Sequence, residues 1–228
     1  MPSSIPFTAY DIFAYLASGF FVIAAADFAF DGNWLLGEDI TLIEGFVWVA
    51  IAYIVGHVVS AVSATLLQVL FVERALGHRA EVLLRESDAS TTPKTRWRER
   101  AFPGYFDPLP SEIQTRVLAQ AKEAGIGSRG EGLFLYCDAQ MRQRPAVAPV
   151  LSNFLNVYAF ARNACLACLV AAVLLVVGAI WPGTDTETKL GLSGAALLAA
   201  VGLLYRYLRF FRLYARDVFL FFATPRVG

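Results

Sequence analysis

Long apolar tracts alternate with charged stretches along the chain, and four of the tracts suit a bilayer core, which takes about 20 helical residues to cross. Ile12–Phe30 carries one ionisable acid, Asp27, close to its end. Gly45–Val72 holds no Asp, Glu, Lys or Arg. Asn163–Trp181 is equally clean and stops at Trp181-Pro182-Gly183, where an interfacial aromatic meets a helix stop. Leu190–Tyr205 is the shortest, and Arg206 and Arg209 can lengthen it by snorkelling at the membrane edge. The pattern predicts an all-α membrane protein: four transmembrane helices with a helical cytoplasmic module between spans 2 and 3. The segments are a first transmembrane hairpin (1–73), the module (74–150), a second hairpin (151–205) and an amphipathic cytoplasmic tail (206–228).

The second tract continues past the bilayer length through Leu66, Leu67, Leu70 and Phe71 into Glu73, Arg74 and Arg79, with no breaker stronger than Gly77. One helix from about Thr41 to Arg85 is expected, projecting beyond the membrane. Residues 87–100 are polar and read as an excursion. A helix then starts at Ser111, where Ser111 and Gln114 have capping-box spacing, and stops at Gly125. Another runs from about Glu131 to Gln143, ahead of Pro145, and 146–161 lead straight into the third span. Leu118, Leu133, Phe134 and Met141 supply a small core, marginal on its own at this size and expected to pack on the projecting helix ends. The two hairpins share no repeat, so the inverted-repeat signature of many transporters is absent.

Composition sharpens this picture. A mean hydropathy of +0.54 with 57% hydrophobic residues is too oily for an ordinary soluble domain. The net charge of zero hides a segregation. Segment 31–45 has no Lys or Arg, and 182–189 has only Lys189, beside Asp185 and Glu187. Segment 74–150 has twelve, and the tail from Arg206 has five. The positive-inside rule therefore places both termini and the module in the cytoplasm. The prevalence of Arg over Lys, with abundant Ala and Val, points to a GC-rich bacterial genome and hence an inner-membrane location. Ala24-Ala25-Ala26 resembles a signal-peptidase site, but residues 1–11 lack the basic stretch such a signal needs.

Candidate chemistry is sparse. Tyr53, His57, Ser60, Ala64 and Gln68 recur at helical spacing and share one face, either a pore lining or a helix-packing seam. Gly56, Ser60 and Ala64 have small-residue spacing, and packing is the favoured role because no second His, Asp or Glu sits at matching depth. Asp11 and Arg162, at the cytoplasmic starts of the first and third spans, are expected to form an interface ion pair. Arg206, Arg209, Arg212 and Arg216 fall on one side of the tail. Tyr207, Phe210, Phe211, Tyr214, Val218 and Phe221 fall on the other. The arginines would meet anionic lipid, an acidic partner or a nucleotide, while the aromatic side is buried in the bilayer interface or on the cytoplasmic helices. Cys165 and Cys168 are spaced as CxxC inside an apolar helix, where small buried thiols are expected rather than a metal or redox pair. His78 reads as a surface residue, and Arg96-Trp97-Arg98-Glu99-Arg100 is too short to argue for nucleic acid. No P-loop, dinucleotide fingerprint or hydrolase motif occurs. No cofactor, metal site or catalytic group is expected.

Tyr10-Asp11-x3-Tyr15-Leu16-x2-Gly19, Gly56-His57 and Phe160-Ala161-Arg162-Asn163 resemble short motifs of uncharacterised bacterial four-span inner-membrane proteins. Members usually carry proline before the glycine of the first motif, where Ser18 stands here. Some are found near phage-defence genes, so the resemblance implies a link to antiviral defence and no activity. The leading expectation is a non-enzymatic, homo-oligomerising membrane effector or anchor whose cytoplasmic face senses or holds a protein partner. A channel or transporter subunit with the His57 face lining a path comes second, and a membrane enzyme acting on lipid third.

Overall fold

The computed structural model describes residues 9–35, 41–77, 79–85, 99–102, 104–127, 130–181 and 185–224, with side chains throughout except at 9–13, 70, 73–75 and 79. Among these residues every regular element is a helix: α1 (Ala9–Ala29), α2 (Leu42–Ser63) continued by a π-helical stretch (Ala64–Leu76), α3 (Arg79–Leu83), α4 (Ser111–Glu123), α5 (Glu131–Arg142), α6 (Ala148–Ala179) and α7 (Thr186–Ala223). Three runs are long and apolar enough to cross a membrane: Leu42–Val69, Ala148–Ala179 and Thr186–Ala223. The described apolar part of α1, Ala14–Ala29, is shorter.

Contacts divide the chain into two units, Met1–Leu67 with Ala159–Arg206, and Gln68–Tyr158 with Tyr207–Gly228. In the first unit α1 and α2 form an antiparallel pair held by backbone contact. A β-carbon built on Gly19 would overlap the Ala52 carbonyl, and one on Gly56 would overlap the Tyr15 carbonyl. Gly178 of α6 meets the Ala29 carbonyl at the end of α1 in the same way. Such close approach supplies dispersion contacts that hold the helices together.

Element ends follow local chemistry. Thr41 caps α2 in a full capping box: its hydroxyl accepts from the Glu44 N–H at 3.3 Å, and the Glu44 carboxylate accepts from the Thr41 N–H at 2.8 Å. The helix expected to reach Arg85 instead ends at Leu76, because Gly77 adopts φ +96°, a left-handed conformation open to glycine. The capping box expected at Ser111 does not form. Pro110 occupies the cap position, and the Gln114 amide turns away to donate to the Leu109 carbonyl at 2.8 Å and the Arg85 carbonyl at 3.3 Å. Gly125, at φ +77°, follows the end of α4 near the expected stop.

An apolar core lies within the second unit. Leu83, Val117, Leu133, Phe134, Met141 and Leu151 are buried together with Tyr214, Val218, Phe219 and Phe222. The expected core residues Leu133, Phe134 and Met141 are therefore at its centre, with Leu118 packed at its margin. The expected fourth span and tail run on as one unbroken helix of 38 residues, and the division between the two units falls within it, after Arg206. The end of this helix is part of the module's core.

Candidate functional site

The expected face of α2 is split. Ala52, Gly56, Val59 and Ser63 are the buried positions, recurring at four, three and four residues. Tyr53, Ser60, Ala64 and Gln68 are half-buried beside them, and His57 is exposed. The His57 ring stacks on Tyr15 at 4.1 Å between centroids and meets Tyr53 edge-on at 4.5 Å. Tyr15 and Tyr53 lie edge to face at 6.2 Å. Three aromatic rings with polar heads thus gather on the outside of the α1–α2 pair. The expected seam lies about a quarter-turn from the buried one, because Gly56 rather than His57 marks where α1 crosses.

A polar cluster lies inside the first unit. Ser63 Oγ donates to Asn163 Oδ1 at 2.7 Å, and Arg162 Nε donates to Ser63 Oγ at 3.1 Å. All three residues are buried. Each polar group there meets a polar neighbour, as an apolar surrounding requires. The Asp11 side chain expected to pair with Arg162 lies outside the described residues, as do His78 and Arg96–Arg98 of the basic-aromatic cluster.

Two further buried ions escaped the reading of sequence as sites. Asp27, at the end of α1, accepts from the Trp34 N–H at 2.7 Å and the Leu35 N–H at 3.0 Å, which folds the chain back after Asp31 and Asn33. Lys189 is buried, and its ammonium donates to the Ala29 carbonyl and to Asp31 Oδ2, both at 2.9 Å. The signal was present in both cases, since each is an isolated charge at the edge of an apolar tract.

The tail arginines differ from one another. Arg206 and Arg209 are exposed. Arg212 is half-buried and donates to the Asp107 carbonyl at 2.9 Å, while Arg216 pairs with the adjacent Asp217 at 3.0 Å. Behind them Tyr207, Phe211, Tyr214, Val218, Phe219 and Phe222 are buried. Tyr214 stands 6.0 Å from Phe134, and its hydroxyl accepts from Arg142 at 2.9 Å and donates to Asp138. The aromatic side is buried against the helices of the second unit.

Cys137, Cys165 and Cys168 are buried and free, and Cys165 Sγ donates to the Ala200 carbonyl at 3.3 Å. Burial pushes the Cys137 thiol up to about 12, with the neighbouring Asp138 carboxylate adding to the shift. Among the described residues no three His, Cys, Asp or Glu side chains gather as a metal would require. A shallow cavity of about 260 Å³ in the second unit is lined by Arg85, Glu99, Phe102, Phe106 and Asp107. Its Arg85–Glu99 pair, at 3.6 Å, already neutralises itself.

No family model, curated protein or solved structure matches the chain. The residues alone carry the functional reading.

Proposed function

We propose that this chain is a four-span protein of a bacterial inner membrane, with both termini and the helical module in the cytoplasm. In this reading it acts as a non-enzymatic, oligomerising effector or anchor that holds a partner through its cytoplasmic face. The observation that carries the reading is the sequence of environments along α7. Leu190, Leu197, Leu198 and Val201 are exposed apolar residues suited to lipid. Arg206 and Arg209 follow, exposed, where an anionic leaflet would begin. Beyond them the helix turns its aromatic side into the module core, as an anchored module requires. Exposed Leu42, Ile43, Phe46, Ile54 and Val58 on α2 support the same membrane setting. The 21 residues of α1 are enough to make a fourth span beside it.

The exposed His57 with Tyr15 and Tyr53 supports a second reading, in which this group borders a path for a small solute or proton. Purified full-length protein in lipid nanodiscs separates the two. Light scattering above the monomer mass, with no flux in vesicles, is the outcome for an oligomeric anchor. Ion or proton flux that disappears in His57→Ala would favour the path.

A further inference from the structure

Two seams with the same spacing run along α2 on opposite sides. The inner one, Ala52, Gly56, Val59 and Ser63, is filled: Ala52 and Gly56 meet α1, Val59 packs on Leu166 and Ala167, and Ser63 bonds Asn163. The outer one, Ala50, Ile54, His57 and Ala61, repeats the four-three-four spacing two residues earlier in register, about 200° around the helix, and all four residues are exposed. Spacing of this kind is that of a left-handed helix pair, and alanine at either end permits close approach.

His57 marks the outer seam as more than a lipid face. It stands near the middle of the Leu42–Val69 run, where hydrocarbon offers no hydrogen bond. Among the described residues its ring touches Tyr15 and Tyr53, and no group donates to it or accepts from it. An imidazole left in lipid in this state loses its hydrogen bonds to water without replacement.

We propose that the outer seam of α2 is the self-association face of this chain, with His57 bonded to His57 of a second copy. The chemistry selects the occupant. A neutral imidazole has one N–H donor and one nitrogen acceptor, so it complements itself. A twofold axis along the membrane normal brings identical residues together at one depth. Stacking on Tyr15 fixes the ring plane, which limits the rotamer entropy lost on pairing. This rests on the proposed oligomeric membrane protein and names the surface that would build it.

The test uses the full chain in membrane vesicles. Ala61→Cys places a thiol on the outer seam, and Leu198→Cys places one on the exposed apolar side of α7. The native thiols are buried and leave the background low. Mild oxidation is expected to link A61C into a dimer about ten-fold more than L198C. Separately, His57→Leu, which suits lipid and keeps the helix, is expected to weaken association on the order of ten-fold, the scale of one hydrogen bond between spans. An oligomer whose A61C links no better than L198C, or whose mass distribution is unchanged by H57L, overturns this face and leaves the oligomeric reading standing. A wild-type chain that stays monomeric in vesicles removes both.

Discussion

The ammonium of Lys189 lies 2.9 Å from Asp31 Oδ2 and 2.9 Å from the Ala29 carbonyl, joining the start of α7 to the end of α1. The lysine side chain is 1% exposed, whereas that of Asp31 is 61% exposed. This asymmetry sets the expectation. Lys189→Ala removes a buried stem and both bonds and leaves a buried carbonyl short of a donor. A loss of about 2–4 kcal/mol is expected in detergent unfolding. Asp31→Ala removes a largely solvated partner while the Ala29 carbonyl still holds the ammonium, so about 1 kcal/mol or less is expected. Equal losses for the two variants would show that the carbonyl contributes little.

The same lysine shows what was and was not legible in the sequence. As a count of charge, Lys189 marked its loop as poor in positive residues; as a contact, it needed the position of the Ala29 carbonyl, which no local spacing encodes. Helix existence was legible because apolar tracts, Gly125 and Pro145 act within a few residues. Thr41 and Glu44 carried a capping signal that could have been read, whereas Ser111 and Gln114 carried one that Pro110 overrode. The tail's two faces were legible from periodicity. What covered the aromatic face was not, because Phe134 and Tyr136 lie far away in the sequence yet stand about 6 Å from Phe219 and Phe222. The buried seam of α2 was displaced for a similar reason. The α1–α2 crossing is set by Gly19 meeting Gly56, a pairing between two helices.

That crossing gives a sharp comparison among glycines. Added β-carbons at Gly19 and Gly56 would collide with backbone carbonyls, which cannot turn aside as a side chain can. At Gly191 and Gly202 an added β-carbon meets open space. Gly19→Ala and Gly56→Ala are each expected to cost about 1–3 kcal/mol through overpacking. Gly191→Ala and Gly202→Ala are expected to be neutral or to stabilise by up to about 1 kcal/mol through helix propensity. Thermal unfolding of the four variants in one detergent provides the measurement, and a destabilised G202A with a tolerant G56A would contradict the observed crossing.

Cys137 offers a test of the module's core by pH. Its thiol is raised from the usual value near 9 to about 12, chiefly by burial and then by the Asp138 carboxylate. The unfolded chain releases this proton first as pH rises, so the unfolded state gains stability from about pH 9 upward until the folded thiol ionises near 12. The contribution of Cys137 to stability is thus complete below pH 9 and declines between 9 and 12. Cys137→Ala should flatten that part of the stability profile. Maleimide labelling at pH 8 should be slow for the folded protein and fast after unfolding, because the thiolate is the reactive form. Rapid labelling of folded protein at pH 8 would place the thiol outside a closed core.

The tail arginines divide into two groups that charge reversal can separate. Arg209 is exposed and follows the apolar run of α7, where the proposed topology puts the anionic cytoplasmic leaflet. Arg212, one turn further on, is half-buried and donates to the Asp107 carbonyl. A helix needs only net positive charge at this depth for orientation, and the twelve basic residues of 74–150 supply that independently. Arg209→Glu should therefore leave insertion and unfolding temperature unchanged. It should weaken attachment of the module to anionic vesicles, or to an acidic partner, by about 1 kcal/mol or more, since a favourable charge becomes a repelling one. Raising the salt concentration should shrink that difference, because exposed charges are screened. Arg212→Glu replaces a donor with an acceptor beside a carbonyl oxygen and should instead lower the unfolding temperature. Vesicle binding at two salt concentrations, measured with thermal unfolding for each variant, reads both effects. If Arg209→Glu lost stability and kept its binding, the exposed arginine would be holding the module together rather than facing an anionic surface.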